Sequence, residues 1–428
     1  MAKYSKIGKI NDDFDVVQLK SVLVKNDAGD WGNEPDNSAI GIIRSTNFNN
    51  DGKLDLTNVA YRTLSTRKFE EKKLFASDIL VERSGGSETQ PVGRVGYITE
   101  EIAKSDFAFA NFIQRISVDE TVDSKFIYYC LQHLYEMGIT SGMQTQTTGI
   151  RNLDWKQYIG TYLPKPSLPE QASIANILSS VDEAIESVKK SIEAAEKLKK
   201  SLMQNLLTGR MKPDGTFRTE EEFYEDEKFG KVPIGWEVKK LGNLFHIKAG
   251  GDLQENFYSP IYDEQHKCPI FSNTIENSGL YGYTSNPRFI SKESLTIVGR
   301  GVGVGHVEYR KGNYDAIIRL ISLIPKQEDA IDCMYVNYYI CQYVHFAIES
   351  TGVPQLTCPK VFSTKIIIPK NVFEQSQIAE KIHCIDIDIK IKQTQITTLE
   401  RLKKSLMQNL LTGKVRVGKE GKYQNRRV

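Results

Sequence analysis

The string LKKSLMQNLLTG occupies residues 198–209 and recurs letter for letter at 402–413. So mixed a string does not repeat by chance, so the chain carries a duplication. The offset of 204 holds upstream: Glu170-Gln171 matches Glu374-Gln375, Ile174-Ala175 matches Ile378-Ala379, and Val181-Asp182 matches Ile385-Asp386. Apolar residues fall at 174, 178, 181, 185, 188, 192, 195, 198, 202 and 206. This three-four spacing predicts a long amphipathic helix close to a heptad register. The second copy keeps it at 378, 382, 385, 389, 396, 399, 402, 406 and 410, and only Lys392 breaks the correspondence. At the rise of an α-helix each copy spans roughly 50 Å. Gly209 and Gly413 are placed as C-terminal caps. A lone helix of this kind leaves its seam in water. Two copies predict an antiparallel intramolecular coiled coil.

The segments before the helices correspond faintly. VVQLKSVL near residue 19 resembles EVKKLGNLF near 241, and FIYYC at 126–130 resembles VNYYI at 336–340. TTGIRNL at 147–153 faces STGVPQL at 350–356. ILVERSGG…VGRVGY resembles TIVGRG…VGHVEY, aligning Arg83 with Arg300 and Gly93-Arg94-Val95 with Gly305-His306-Val307. The expected order is a first domain (1–166), a long helix (167–209), an acidic solvated linker (210–235), a second domain (236–370), a second long helix (371–413) and a basic tail (414–428). The expected fold class is α+β: two domains of mixed β-sheet with helices, joined to two long helices in a pseudo-two-fold tandem repeat.

A net charge of +2 neither demands nor forbids nucleic acid, since a binding face needs only a local cluster. No run of apolar residues is long enough to cross a membrane, and six cysteines without a C-x-x-C pair read as reduced thiols of a cytoplasmic protein. There is no H-E-x-x-H, no P-loop and no G-x-S-x-G elbow. Asn286-Pro287-Arg288-Phe289 lacks the second proline of an amino-methyltransferase motif. The run Gly299-Arg300-Gly301-Val302-Gly303-Val304-Gly305 misses the third glycine of G-x-G-x-x-G and leads into an alternating, strand-like HVEYRKG. It reads as a glycine turn between strands that lets the backbone approach something flat or charged.

A tandem of unlike domains, each closed by a nearly identical long helix, resembles the specificity subunit of Type I restriction-modification systems. Leu163-Pro164-Lys165-Pro166-Ser167-Leu168-Pro169-Glu170-Gln171 and Leu206-Leu207-Thr208-Gly209 carry the resemblance, with Phe373-Glu374-Gln375 and Leu410-Leu411-Thr412-Gly413 repeating them. Gly235-Trp236-Glu237-Val238-Lys239-Lys240-Leu241 matches the family's usual domain opening. Phe14-Asp15-Val16-Val17-Gln18-Leu19 lacks its tryptophan, and Phe373 replaces a proline at the second helix start. The resemblance implies a non-catalytic reader of double-stranded DNA, each domain reading one half of a split, asymmetric target. It implies helices that dock two modification (methyltransferase) subunits, with restriction subunits in the full complex. S-adenosylmethionine and ATP with magnesium would belong to those partners, and no cofactor or metal to this chain. The alternative is a coiled-coil scaffold that reads no sequence.

Base reading favours arginine on guanine and asparagine or glutamine on adenine. Candidates in the first domain are Arg44, Ser45 and Asn47, then Arg83, Gln90 and Arg94, then Gln144, Gln146 and Arg151. The second domain offers Ser272, Asn273, Arg300 and His306, with Arg310 and Lys311 as phosphate contacts. Tyr128-Tyr129 and Tyr338-Tyr339 read as core. Lys197, Lys199 and Lys200, with their copies Arg401, Lys403 and Lys404, read as a solvated helix face.

Overall fold

The computed structural model describes residues 4–87, 89–147, 150–348, 353–417 and 423–424. Most of the basic tail and the side chain of Gln146 lie outside the described residues. Two compact units emerge: Met1–Lys189 with Thr394–Val428, and Lys190–Gln393. Each long helix therefore contributes a segment to both.

The first unit is built on an antiparallel sheet ordered Leu23–Ala28, Ile113–Val118, Ile79–Glu82, Val95–Tyr97. The second repeats that order with Phe245–Ala249, Ile321–Pro325, Glu293–Ile297 and Val307–Lys311. Ile79–Glu82 is buried at every position: the apolar run Ile79-Leu80-Val81 suits a strand covered on both faces, and Glu82 is buried against Arg94. A smaller sheet follows in each unit, with one parallel pair: Phe107–Phe109 on Ile40–Ile43, and Asp315–Ala316 on Cys268–Phe271. A helix then covers the main sheet, Ser124–Glu136 or Cys333–Tyr343, N-capped by Asp123 or Asp332. Tyr128, Tyr129, Tyr338 and Tyr339 are buried on these helices.

The long helices run Leu168–Leu206 and Val372–Leu410. Their repeated Glu-Gln is a docking device. Gln171 is buried, donates to the Pro166 carbonyl at 2.8 Å and accepts from the Asp123 amide at 2.8 Å. Gln375 does the same with Pro369 at 2.8 Å and Asp332 at 2.9 Å. Glu170 takes Arg416, which lies over the Phe14 ring; Glu374 takes Arg218, which lies over Trp236. Phe14 thus stands where the second domain has its tryptophan. At the far ends Gly209 and Gly413 turn left-handed (φ 68° and 71°), and the 211 and 415 amides close onto the 205 and 409 carbonyls.

Within each unit the two helix segments pack antiparallel. Ile174 and Leu178 share the first unit's core with Met407 and Leu410; Met203 and Leu206 share the second's with Ile378 and Ile382. The lysine face is not simply solvated. Lys403 pairs with Asp182 at 2.7 Å, and Tyr129 donates to the same carboxylate at 2.8 Å. Lys199, Asp386 and Tyr338 repeat the triad at 2.6 and 2.7 Å. The predicted seam positions Leu198 and Leu402 instead point outward, 53% and 46% exposed. A straight helix drifts from the heptad by roughly 20° per repeat. That drift brings the next residue, a lysine, onto the facing aspartate.

Residues 210–235 are folded and are not a plain linker. Met211 bridges Phe217, and Phe223–Asp226 pairs with Gly230–Pro233. The carboxylates that suggested solvation are held locally, Glu222 by Lys212 at 2.7 Å and Glu220 by Lys231.

Candidate nucleic-acid interface

In the first unit, three candidate segments lie side by side. Arg83 continues the Ile79–Glu82 strand; its amide donates to the Phe112 carbonyl at 2.9 Å and its carbonyl accepts from Leu153 at 2.8 Å. Its exposed guanidinium has no partner among the described residues. Arg151, half-buried, sits between Gln146 and Gly86 in the small sheet formed by Gln144–Thr147, Ile150–Leu153 and Ser84–Gly86. Ser45 donates to the Ser84 carbonyl at 3.4 Å, which brings Arg44 to the same edge. Gln144 and Gln90 are half-buried at its margin: the Gln144 amide has no partner among the described residues, and Gln90 donates to Asn50 at 2.7 Å.

Two expected readers here are holding residues. Asn47 is 2% exposed and spends its amide on the Asp55 and Asn58 carbonyls, so it presents no edge to a base. Arg94 grips the buried Glu82 through two nitrogens at 2.7 and 2.8 Å and donates to the Ser45 carbonyl at 3.0 Å. Burial pulls its pKa down, but the Glu82 contact outweighs this and the net shift is upward. Arg94 thereby fixes the loop that carries Arg44 and Ser45.

In the second unit the glycine run is a turn between the antiparallel strands Glu293–Ile297 and Val307–Lys311, with φ of 85°, 83° and 88° at Gly301, Gly303 and Gly305. Only residues tolerant of the left-handed region fit such a turn without strain. Asn273 clamps it, accepting from the Gly299 amide at 2.7 Å and donating to the Arg300 carbonyl. Arg300 is exposed, bridges to Gln355 through backbone, and its side chain has no partner among the described residues. His306 is exposed beside it, 3.0 Å from Glu308. Lys311 is exposed too, but at the opposite end of its strand, so it does not join this edge.

Two expected contacts lie beneath the turn instead. Arg310, expected at phosphate, is 7% exposed; it donates to Thr296 at 2.9 Å and the Ser278 carbonyl at 2.8 Å, and lies 3.7 Å over Phe271. Ser272 is 6% exposed and donates to the Gly279 carbonyl. Both support the turn from beneath.

Arg83 and Arg300 are also not equivalent. The Gly93 amide donates to Glu82 as the Gly305 amide donates to Val298, and Leu153 donates to Arg83 as Leu356 donates to Gly299. Arg83 is therefore level with Gly299, and Arg300 with Ser84, which faces Asn152 as Arg300 faces Gln355. Successive strand residues point to opposite faces, so the two arginines are aimed differently.

Sequence reading missed Trp31 and Phe112. With Arg44 and Ser45 they line a cavity of about 360 Å³ at the first unit's edge. A loop aromatic gives no sequence signal until its neighbours are known. Among the described residues no His, Cys, Asp and Glu cluster is arranged to hold a metal, and no helix is long and apolar enough to cross a membrane.

The two units thus share a frame and differ in the side chains at its edge, and comparison with known proteins gives the class. A family model, the Type I restriction modification DNA specificity domain, matches residues 11–197 and again 233–401. The chain belongs to this family, as a specificity subunit of the Type I restriction-modification kind. The putative type I restriction enzyme MjaX specificity subunit of Methanocaldococcus jannaschii is 27% identical over 97% of this chain and 96% of its own. The MjaIX specificity subunit of that organism is 24% identical over 97% and 96%. A crystal structure of the S subunit of a Type I restriction-modification system from M. genitalium shares the fold, with a TM-score of 0.60 at 17% identity, covering 96% of this chain and 99% of that one.

Proposed function

We propose that the chain is the non-catalytic, sequence-reading subunit of a Type I restriction-modification complex. Each unit reads one half of a split, asymmetric target in double-stranded DNA. The readers are the exposed Arg83 and the half-buried Arg44, Ser45 and Arg151 in the first unit and the exposed Arg300 and His306 in the second, with Gln90, Gln144 and Gln146 as further candidates, Asn273 holding the turn behind Arg300, and Lys311 on phosphate. One observation carries this reading: the two units share one strand order yet present unlike side chains at the same edge. A common frame with different tips is what two different half-sites require.

The helices dock two modification subunits. Leu198 and Leu402 support this, because a buried seam alone does not call for an identical outward leucine in both copies. Matching surfaces suit two copies of one partner. Those partners supply S-adenosylmethionine for adenine methylation, and restriction subunits add ATP-driven cleavage.

Mapping methylated adenines in DNA from cells producing this chain with its modification subunits tests the assignment. The expected result is a bipartite, non-palindromic target with an unread spacer. Methylation without sequence preference supports the scaffold alternative.

A further inference from the structure

Two consecutive non-glycine residues in the second unit, Ile318 and Arg319, adopt left-handed backbone, with φ of 53° and 61°. For a β-branched residue this is a true outlier. Both side chains are exposed, Ile318 by 60%, so burial does not compensate the strain. The conformation is imposed from beneath. Gly250 donates to the Leu320 carbonyl at 2.7 Å, Ile318 donates to Gly251 at 3.1 Å, and Arg288 ties the Ala316 carbonyl at 3.1 Å to the buried Asp315 carboxylate at 2.6 Å. A side chain at Gly250 would meet the Ala316 carbonyl at 2.5 Å, so only glycine lets these strands approach so closely.

The first unit has a two-residue turn in the same place, closed by equivalent hydrogen bonds but without the left-handed backbone. Ala110 donates to Ile43 and Ile113 to Ala110 as Ile317 donates to Phe271 and Leu320 to Ile317. Asn111-Phe112 thus corresponds to Ile318-Arg319. The turn abuts the reading strand in both units: Arg83 donates to the Phe112 carbonyl, and the Arg319 carbonyl lies against Gly299, next to Arg300. Strain held by an over-determined frame, with its side chains turned outward, marks a ligand contact.

We infer that Ile318-Arg319 is a specificity-determining turn of the second unit, Arg319 reading a guanine edge and Ile318 the methyl group of a neighbouring thymine. The guanidinium has no partner among the described residues and can present its fork to O6 and N7. A bare isoleucine beside it suits the one apolar group of the major-groove edge. The inference rests on the DNA-reading assignment above.

The test selects bound sequences from a randomised duplex library with the chain assembled with its modification subunits. Arg319→Ala is expected to relax one position of one half-site by on the order of tenfold and leave the other half-site unchanged. Ile318→Gly is expected to raise Tm by relieving the left-handed strain, while abolishing the preference for thymine over uracil at the adjoining position. If the parent complex enriches a split sequence and Arg319→Ala retains every position, the turn's role falls and the assignment stands. Uniform loss of affinity at all sequences, or loss of subunit assembly, overturns the base-reading role in favour of phosphate or partner contact. Absence of any enrichment by the parent complex overturns the assignment and the inference together.

Discussion

Lys403 on the second long helix meets Asp182 on the first at 2.7 Å, and only 8% of the lysine side chain remains exposed. The duplicated pair, Lys199 with Asp386 at 2.6 Å, is less covered, at 29% and 32%. The same twelve-residue string thus buries one ion pair and leaves its twin half wet. Lys403→Ala strands a carboxylate beside Tyr129 and is expected to cost about 3 kcal/mol. Lys199→Ala is expected to cost about 1 kcal/mol or less, with salt dependence. Urea unfolding monitored in both variants checks this. Equal costs would show that burial does not distinguish the two clamps.

Arg94 holds the frame and Arg83 is proposed to read, and substitution separates the two roles. Arg94→Ala leaves Glu82 buried and unpaired and frees the Ser45 loop, so a loss of about 3 kcal/mol or more is expected. Arg83→Ala is expected to leave stability within about 0.5 kcal/mol and to relax one base position by about 1–3 kcal/mol. Thermal unfolding and competition binding on single-base variants of the target read both. Unchanged selectivity in Arg83→Ala would remove it from the interface.

Much of the architecture was legible because a duplication compares the chain with itself. Glu170-Gln171 and Gly209 fall where their copies fall, and each has one structural job. The lysine face was misread because its partners, Asp182, Asp386 and two tyrosines, lie far off in sequence or on the facing helix. The interface was less legible for a related reason. Asn47, Arg94, Ser272 and Arg310 have the right chemistry for DNA, but whether a polar side chain faces solvent or its own frame depends on long-range contacts. The one-residue slip between Arg83 and Arg300 arose because glycine turns resemble one another whatever their register. The backbone bonds to Leu153 and Leu356 fix that register.

His133 gives a pH signature. It is 3% exposed and neither ring nitrogen has a hydrogen-bond partner among the described residues. Burial, then the charge of Lys404, holds its pKa below the usual 6.5. The unfolded chain takes up the proton near that pH while the folded chain does so only lower. This contribution is therefore complete above about pH 6.5 and is lost as pH falls through it toward the folded value. Unfolding free energies at pH 7.5 and 5.0 are expected to differ less in His133→Gln than in the parent. Identical slopes would contradict the burial argument.

Asn273 is expected to act through the glycine turn. Asn273→Ala removes the acceptor for Gly299 and the donor to Arg300, costing about 1–2 kcal/mol in stability. Target affinity is expected to fall with selectivity broadened at the positions Arg300 reads. Retained affinity, measured by fluorescence anisotropy, would show that the turn holds its shape without the clamp.

Each unit is proposed to read its own half of the target. Replacing residues 1–160 by the corresponding stretch of a related chain, then mapping methylated adenines in the host genome, tests it most directly. The expected new target differs in one half and keeps the other half unchanged. A target changed in both halves, or in neither, would contradict it.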